Sequence, residues 1–396
     1  MKPRHLLRLA ASLLACIGFA GAAGAAPAAL TPHRIALDDG RSFSLNLPAE
    51  LEIVPAVQGL KRVRFFARSP DGRLFVTDMH DLSDNRRGRV YALDDWDEQR
   101  ARFGKVSVYL DKQRNPNSVA FHTDAQGRSW LYVANTDKLQ RYRYRNGDLK
   151  PSSEPETLAS FPDYGLSYKY GGWHLTRTLA FGDGKLYVSV GSSCNACIEK
   201  EDVRAAILQM NPDGSERRIY AQGLRNAVGL LFRDGQLYAT NQGADHLGDQ
   251  KPDETMFAVR DGADYGWPFC YHSKGRTLTD PKFPRKPGCT AVPKPFASFP
   301  SHASALGLSW FPPADGALLR NEYLVALHGG SKLSLDHGYR IVRVGADGRS
   351  GGELVNGFLA KGKVHGRPCD VLRNGRDSFF FSDDKSGVIY YVRPKR

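Results

Sequence analysis

A tight polar turn followed by a short apolar run recurs six times along the chain. Asp71-Gly72 leads into Leu74-Phe75-Val76, and Gln126-Gly127 into Leu131-Tyr132-Val133. Asp183-Gly184 and Asp234-Gly235 lead into Leu186-Tyr187-Val188 and Leu237-Tyr238-Ala239. Asp315-Gly316 and Gly375-Arg376 precede Tyr323-Leu324-Val325 and Phe379-Phe380-Phe381. The steps between the ends of these runs are 57, 55, 51, 86 and 56 residues. Each copy has an apolar run before its turn, such as Leu179-Ala180-Phe181, and a third downstream, such as Ile207 to Met210. A blade of three or four antiparallel strands cannot bury both faces alone, whereas six blades closed into a ring can, leaving only short edges. The pattern predicts an all-β fold, a six-bladed β-propeller of four-stranded antiparallel blades. The alternating stretch Arg34 to Leu47 is expected to be the outer strand that closes the ring with the C-terminal blade. The long step holds a Pro-, Lys- and Gly-rich loop insertion at about 268–300. A β-sandwich would show no such regular step.

The first residues read differently. Lys2, Arg4 and Arg8 precede an apolar run from Leu9 to Ala22 and a string of small residues, the pattern of a secretory signal cut near Ala25. Residues 1–25 are therefore expected to be a signal peptide and 26–396 a single propeller domain. The apolar run is shorter than the ~20 residues of a membrane span, and no later stretch is apolar enough, so no transmembrane segment is expected. Leu13-Leu14-Ala15-Cys16 weakly resembles a lipoprotein box. The reading is a periplasmic or secreted protein.

Export changes how charge and cysteines are read. The net charge of +13 falls to +10 when the leader takes three basic residues and no acid with it. An exported chain without a dense Lys/Arg run has no nucleic-acid partner, so a basic pocket for an anionic ligand is the sharper reading. Of the six cysteines, five remain after cleavage. Cys194–Cys197 and Cys270–Cys289 are expected to be disulfides in an oxidising compartment, the second closing a loop worth about 3 kcal/mol. Cys369 is left as a free thiol. Ile198 rather than His follows Cys197, which excludes a c-type haem attachment.

In a propeller, the residues before each first strand and after each second strand converge on one mouth of the central channel. The first slot holds Arg62, Arg64, Asn117, His174, Arg177, Arg225, Asn226, His302 and Arg367. The second holds Asp78, Ser192, Gln242, His328, Lys332 and Asp383-Asp384. His174 is a usable general base near neutral pH. Clustered cations such as Arg225, Lys332 and Arg367 need an anion between them. The oxygen-rich stretch Asn241-Gln242-Gly243-Ala244-Asp245 suits a hard cation such as Ca2+.

Several motifs on this rim resemble the soluble pyrroloquinoline quinone (PQQ)-dependent glucose/sorbosone dehydrogenases, exported six-bladed propellers. They are His174-Leu-Thr-Arg-Thr-Leu-Ala-Phe181, Gly223-Leu-Arg-Asn226, Asn241-Gln-Gly-Ala244, Asp264-Tyr-Gly-Trp-Pro268 and Gly366-Arg-Pro-Cys-Asp-Val371. The loop Ser192-Ser-Cys-Asn-Ala-Cys197 is similar to that of the sorbosone-dehydrogenase-like branch. The resemblance runs from about Leu51 to Val392. It implies His174 as general base, Arg225 and Asn226 at the quinone oxygens, and Lys332 and Arg367 on cofactor carboxylates. Gln242 lies in the same cofactor site, and the backbone carbonyls of Gly243 and Ala244 hold Ca2+. Cys369 stands where some members carry a second Arg, and Ala244 where some carry Pro. The implied activity is oxidation of a sugar or aldehyde-type substrate by hydride transfer to PQQ, with electrons passing to a separate acceptor, a quinone or a cytochrome. A calcium-dependent propeller lactonase and a non-catalytic ligand-binding propeller are the alternatives. The lactonase would use carboxylate ligands and no cation cluster.

Overall fold

The computed structural model describes residues 29–162, 174–284 and 288–396; the expected signal peptide at 1–25 lies outside them. The described residues form six four-stranded antiparallel sheets. The first strands of the sheets are Val63–Arg68, Ser118–Thr123, Arg177–Gly182, Ala227–Arg233, Ala305–Phe311 and Pro368–Gly375. Each touches the next, and the sixth touches the first, so they line a closed ring. We number the blades 1 to 6 in that order.

Three of the Asp-Gly turns act as the pattern predicts, while Asp315-Gly316 lies within the longer connection between Ala305–Phe311 and Glu322–Leu327. Gly72, Gly184 and Gly235 take φ of +86°, +71° and +75°, the left-handed conformation that a residue without Cβ adopts most cheaply. The turn Asp183-Gly184 thereby pairs Leu179 with Val188. The apolar face so aligned meets the next blade, and one buried cluster fills each gap. Leu179, Val188 and Met210 of blade 3 meet Tyr132 and Leu139 of blade 2, while Phe257 and Leu237 of blade 4 meet Tyr187 and Ile207 of blade 3. Burial of this kind stabilises by roughly 25 cal/mol per Å² of apolar surface, so the fold is held blade against blade rather than by a single central core.

Ring closure departs from the expected strand. Leu51–Val57 pairs with Val388–Pro394, setting Ile53 against Val392. Arg34 to Leu47 does not close the ring: Leu30–Ala36 and Ser42–Pro48 pair with each other as a hairpin. Its turn, Asp38-Asp39-Gly40, has Gly40 at φ +85°. A turn signal in the middle of an alternating stretch breaks it into two strands. The hairpin still buries its apolar side, with Ile35, Leu45 and Leu47 packed among residues of blades 5 and 6. The insertion also ends earlier than expected. Cys270–Ser273 and Arg276–Thr279 form a small hairpin, but Ala297–Phe299 is already the outer strand of blade 4. Both expected disulfides, Cys194–Cys197 and Cys270–Cys289, are present. Cys369 is free and buried.

Candidate active site

His174 stands three residues before the first strand of blade 3, as Asn115 and His302 do before those of blades 2 and 5. All three adopt left-handed φ, +54° at His174, a region that Asn and His tolerate better than most residues. His174 Nδ1 lies 3.0 Å from the carbonyl oxygen of Ser192 and 2.9 Å from its Oγ. A carbonyl only accepts, so Nδ1 carries the proton and the basic lone pair resides on Nε2. Burial drives the imidazole well below its ordinary pKa, and the positive charges of Arg225, Arg177 and Arg204 add to the effect. The ring is thus neutral, the form a base requires.

Arg225 lies beside it, 3% exposed. Its Nε donates to the backbone oxygen of Asn195 at 2.8 Å and its Nη2 to Asn195 Oδ1 at 2.9 Å. It also forms an ion pair with the exposed Asp245, 3.8 Å away. Desolvation lowers the pKa of the guanidinium, and Asp245 and Glu254 offset part of that. Asn226 follows in sequence. Its Nδ2 donates to Gln242 Oε1 at 2.8 Å, while its Oδ1 is one of the buried side-chain atoms without a hydrogen-bond partner among the described residues. Gly191 separates Asn226 from His174. A Cβ on it would stand 2.5 Å from Asn226 Oδ1 and 2.6 Å from His174 Cβ, so only glycine lets the two side chains come this close.

The stretch Gly243-Ala244 runs under this group. Asp245 N donates to Asn195 Oδ1 at 3.0 Å. The Gly243 backbone bonds the carboxyl of Glu254, which burial pushes up to about 8 despite Arg225. The local donors are carbonyl, amide and carboxyl oxygens, the ligand chemistry of a hard cation. The orphaned Asn226 Oδ1 likewise calls for a hydroxyl donor or a cation. An added calcium ion fits these oxygens, and the buried Arg225 guanidinium is a donor that fits a quinone oxygen.

The other cations lie elsewhere. Arg367 donates to the carbonyl oxygens of Gly329 and Gly330 and to the Tyr339 hydroxyl. Its guanidinium lies 4.9 Å from the centre of the Tyr339 ring. Lys332 is half exposed and ion-paired with Asp249. Each held cation keeps its own partner, which removes the need for them to share one anion.

Two acidic groups shape the mouth, Asp384 from the second slot and Glu254 from outside both. Asp384, fully buried, bonds His328 Nε2 at 2.8 Å, Arg64 Nη1 at 2.7 Å and Arg62 Nη1 at 3.1 Å. Burial alone would raise its carboxyl, but His328 and the two arginines hold it far below the usual range. Glu254 starts a third strand and so falls outside both slots from which candidates were drawn. A lone acid opening an apolar run, Glu254-Thr-Met-Phe, was its available signal. Part of the second slot is structural. Asp78 accepts the backbone N–H groups of Lys61, Arg62 and His80, and Asp383 those of Arg367 and Ser386. These carboxylates fasten loops.

The closed ring and this mouth define a six-bladed propeller whose channel opening combines a shielded neutral imidazole with a buried guanidinium. The family model described as Glucose / Sorbosone dehydrogenase matches residues 60–326, most of the chain. The chain belongs to that family. No curated protein matches it. Among solved structures, the holo PQQ domain of pyranose dehydrogenase from Coprinopsis cinerea is 18% identical with a TM-score of 0.71, over 89% of this chain and 97% of that one. The PQQ-bound aldose sugar dehydrogenase of Streptomyces coelicolor is 18% identical with a TM-score of 0.59, over 88% and 100%. The soluble aldose sugar dehydrogenase of Escherichia coli, in its apo form, is 13% identical with a TM-score of 0.61, over 87% and 100%. At these identities the likeness is one of fold. Among the described residues no helix is long and apolar enough to cross a membrane.

Proposed function

We propose that the protein is an exported quinoprotein dehydrogenase that oxidises a sugar or aldehyde-type substrate. The observation that carries this reading is the pair formed by His174 and Arg225. The base is kept neutral by burial, and the adjacent cation is held chiefly by uncharged oxygens. Membership of the glucose/sorbosone dehydrogenase family and the structural likeness to PQQ-dependent sugar dehydrogenases support the same reading.

In this reading Asn226, Gln242 and Arg367 hold the cofactor, and Gly243 and Ala244 offer carbonyls to Ca2+. Lys332 joins them by leaving Asp249. PQQ, when bound, supplies the hydride acceptor. His174 Nε2 takes the proton of the substrate hydroxyl, while Ser192 holds the opposite ring nitrogen and so orients the lone pair. Arg225 stabilises negative charge that develops on an oxygen beside it, and does so strongly because the site excludes water. The two disulfides suit export, and electrons leave to a separate quinone or cytochrome.

The test is to add PQQ and Ca2+ to the purified protein. Quinone absorbance is followed during titration, and dye reduction with a panel of aldoses. Tight binding and sugar-dependent dye reduction are expected. Lactone hydrolysis without PQQ, or sugar binding without turnover, would overturn the reading.

A further inference from the structure

The connection between the second and third strands of blade 4 carries a short acidic strap, Asp245-His246-Leu247-Gly248-Asp249. An aspartate stands at each end. Asp245 Oδ2 is ion-paired with Arg225 Nη2 at 3.8 Å, and its Oδ1 lies 3.2 Å from His302 Nδ1. Asp249 is ion-paired with Lys332, which follows the second strand of blade 5. Two cations that the proposed function sets against the cofactor thus meet the carboxylates of one five-residue segment.

The backbone of the strap is pinned on every side. Asp245–Leu247 is a single 3-10 turn with Leu247 buried. His246 Nε2 bonds the Asp280 carboxylate at 2.9 Å. His302 Nε2 donates to the Gly248 carbonyl oxygen at 2.9 Å, and Ser301 Oγ to that of Asp249 at 2.6 Å. Asp245 N donates to Asn195 Oδ1 at 3.0 Å. The side chains at the two ends are by contrast open, Asp245 being 56% and Asp249 49% exposed. Rotation about χ1 takes such a carboxylate off its cation with the backbone left in place, and an exposed pair resists that rotation only weakly. The bond from Lys332 is the main cause that lowers the Asp249 carboxyl, so this end of the strap is an anion at neutral pH.

We infer that the strap is a built-in competitor for the cofactor: Asp245 and Asp249 hold Arg225 and Lys332, and an anionic cofactor that takes these cations displaces the two carboxylates, which thereby set how tightly it is held. The inference rests on the proposed function, which places the cofactor against this mouth, and adds two acidic residues that oppose its binding. A purely structural strap predicts something else, a lower melting temperature with cofactor affinity unchanged. A strap that lends Asp245 to Ca2+ predicts weaker binding when the acid is removed.

The experiment titrates wild type, Asp249→Asn and Asp245→Asn with PQQ at saturating Ca2+, at low and at high salt, and records thermal melting without PQQ. Asparagine keeps the size of the side chain and removes its charge. Asp249→Asn is expected to bind PQQ about two- to fivefold more tightly at low salt. Asp245→Asn, whose pair is longer, should gain about twofold. Salt gives a second readout. In the wild type, binding at Lys332 exchanges one ion pair for another, whereas in Asp249→Asn it forms a new one. The affinity of the variant should therefore fall more steeply as salt rises, and its advantage shrink. In a Lys332→Ala background, Asp249→Asn should bring no further gain, because the cation they compete for is gone. Melting should stay close to that of the wild type.

Wild-type protein that fails to bind PQQ overturns the functional reading and this inference with it. A wild type that binds PQQ beside an Asp249→Asn variant of equal or weaker affinity overturns this inference alone. So does a gain from Asp249→Asn that persists undiminished in the Lys332→Ala background.

Discussion

The two sides of the channel mouth are built from the same residue types and treat charge in opposite ways. On the side of blades 3 and 4, His174 and Arg225 are held by Ser192 and Asn195, mostly through neutral oxygens. On the side of blades 5, 6 and 1, His328, Arg62 and Arg64 converge on the buried carboxylate of Asp384. The first arrangement orients its cation through an amide and meets the exposed carboxylate of Asp245, 3.8 Å away. The second neutralises much of its positive charge internally. Arg64 also reaches Asn117 Oδ1 at 2.9 Å; Asn117 Nδ2 donates to the Arg177 carbonyl at 3.2 Å, and Arg177 donates to His174 O at 2.8 Å. One chain of hydrogen bonds therefore joins the structural side to the chemical side. A histidine beside an arginine is not by itself a site; the identity of the third partner decides.

The sharpest break of this comparison is at His174. His174→Ala should lower single-turnover reduction of bound quinone by about 10²–10⁴-fold and leave PQQ affinity nearly intact. Rapid mixing of loaded enzyme with sugar measures the first and absorbance titration the second. A near wild-type rate would remove His174 as the base. Because its pKa is lowered, the neutral form persists below the ordinary histidine range. The acid limb of the pH–rate profile should accordingly lie below pH ~6.5.

Asp384 should behave as stability rather than chemistry. Asp384→Ala leaves two arginines in the mouth without their carboxylate and should cost about 3–5 kcal/mol in denaturant unfolding. The pH dependence follows from the depressed carboxyl. Its contribution is fully present above the unfolded pKa of about 3.9 and is lost as pH falls toward the folded one. The gap between wild type and Asp384→Asn should narrow in acid below that value. A gap independent of pH would mean that the carboxylate is not what the arginines need.

Arg367 and Lys332 sharpen the contrast at smaller scale. Arg367, held by carbonyls, should behave like Arg225: Arg367→Ala is expected to weaken PQQ binding by about tenfold or more. Lys332 starts out paired with Asp249 at the surface, where such pairs contribute about 0–1 kcal/mol. Lys332→Ala should weaken PQQ binding by only about the few-fold that this range allows. Unaltered PQQ affinity in Lys332→Ala would show that Lys332 stays with Asp249 and does not reach the cofactor.

The smallest effect belongs to Cys369. Its side chain is buried with Phe65, Val228 and Leu306 in the channel wall, and burial pushes the thiol up, so it stays protonated. Cys369→Val, close in volume, should change unfolding free energy by less than about 1.5 kcal/mol. Native protein should resist alkylation at this position. Rapid labelling would show the channel wall opening.

The repeat, the six-fold order of the blades and both disulfides were legible in the chain, because each depends on contacts close in sequence. An Asp-Gly turn and the alternation beside it set a hairpin at Gly72, Gly184 and Gly235, and a blade is a succession of hairpins. The slots at the strand ends follow from the same register, which is why His174, Arg225, Asn226 and Arg367 stand just before first strands. What the tertiary structure decided is non-local. Leu51–Val57 and not Arg34–Leu47 meets the last strand, since ring closure selects whichever strand reaches Val388–Pro394 after the Gly40 turn has folded the earlier stretch on itself. Which partner a rim cation meets was likewise unreadable. Arg225 precedes the first strand of blade 4, and Arg64 is the second residue of that of blade 1. One faces a neutral asparagine 30 positions away and the other an aspartate 320 positions away. Local pattern places a side chain at the mouth, and only the partner brought across the ring sets its charge balance.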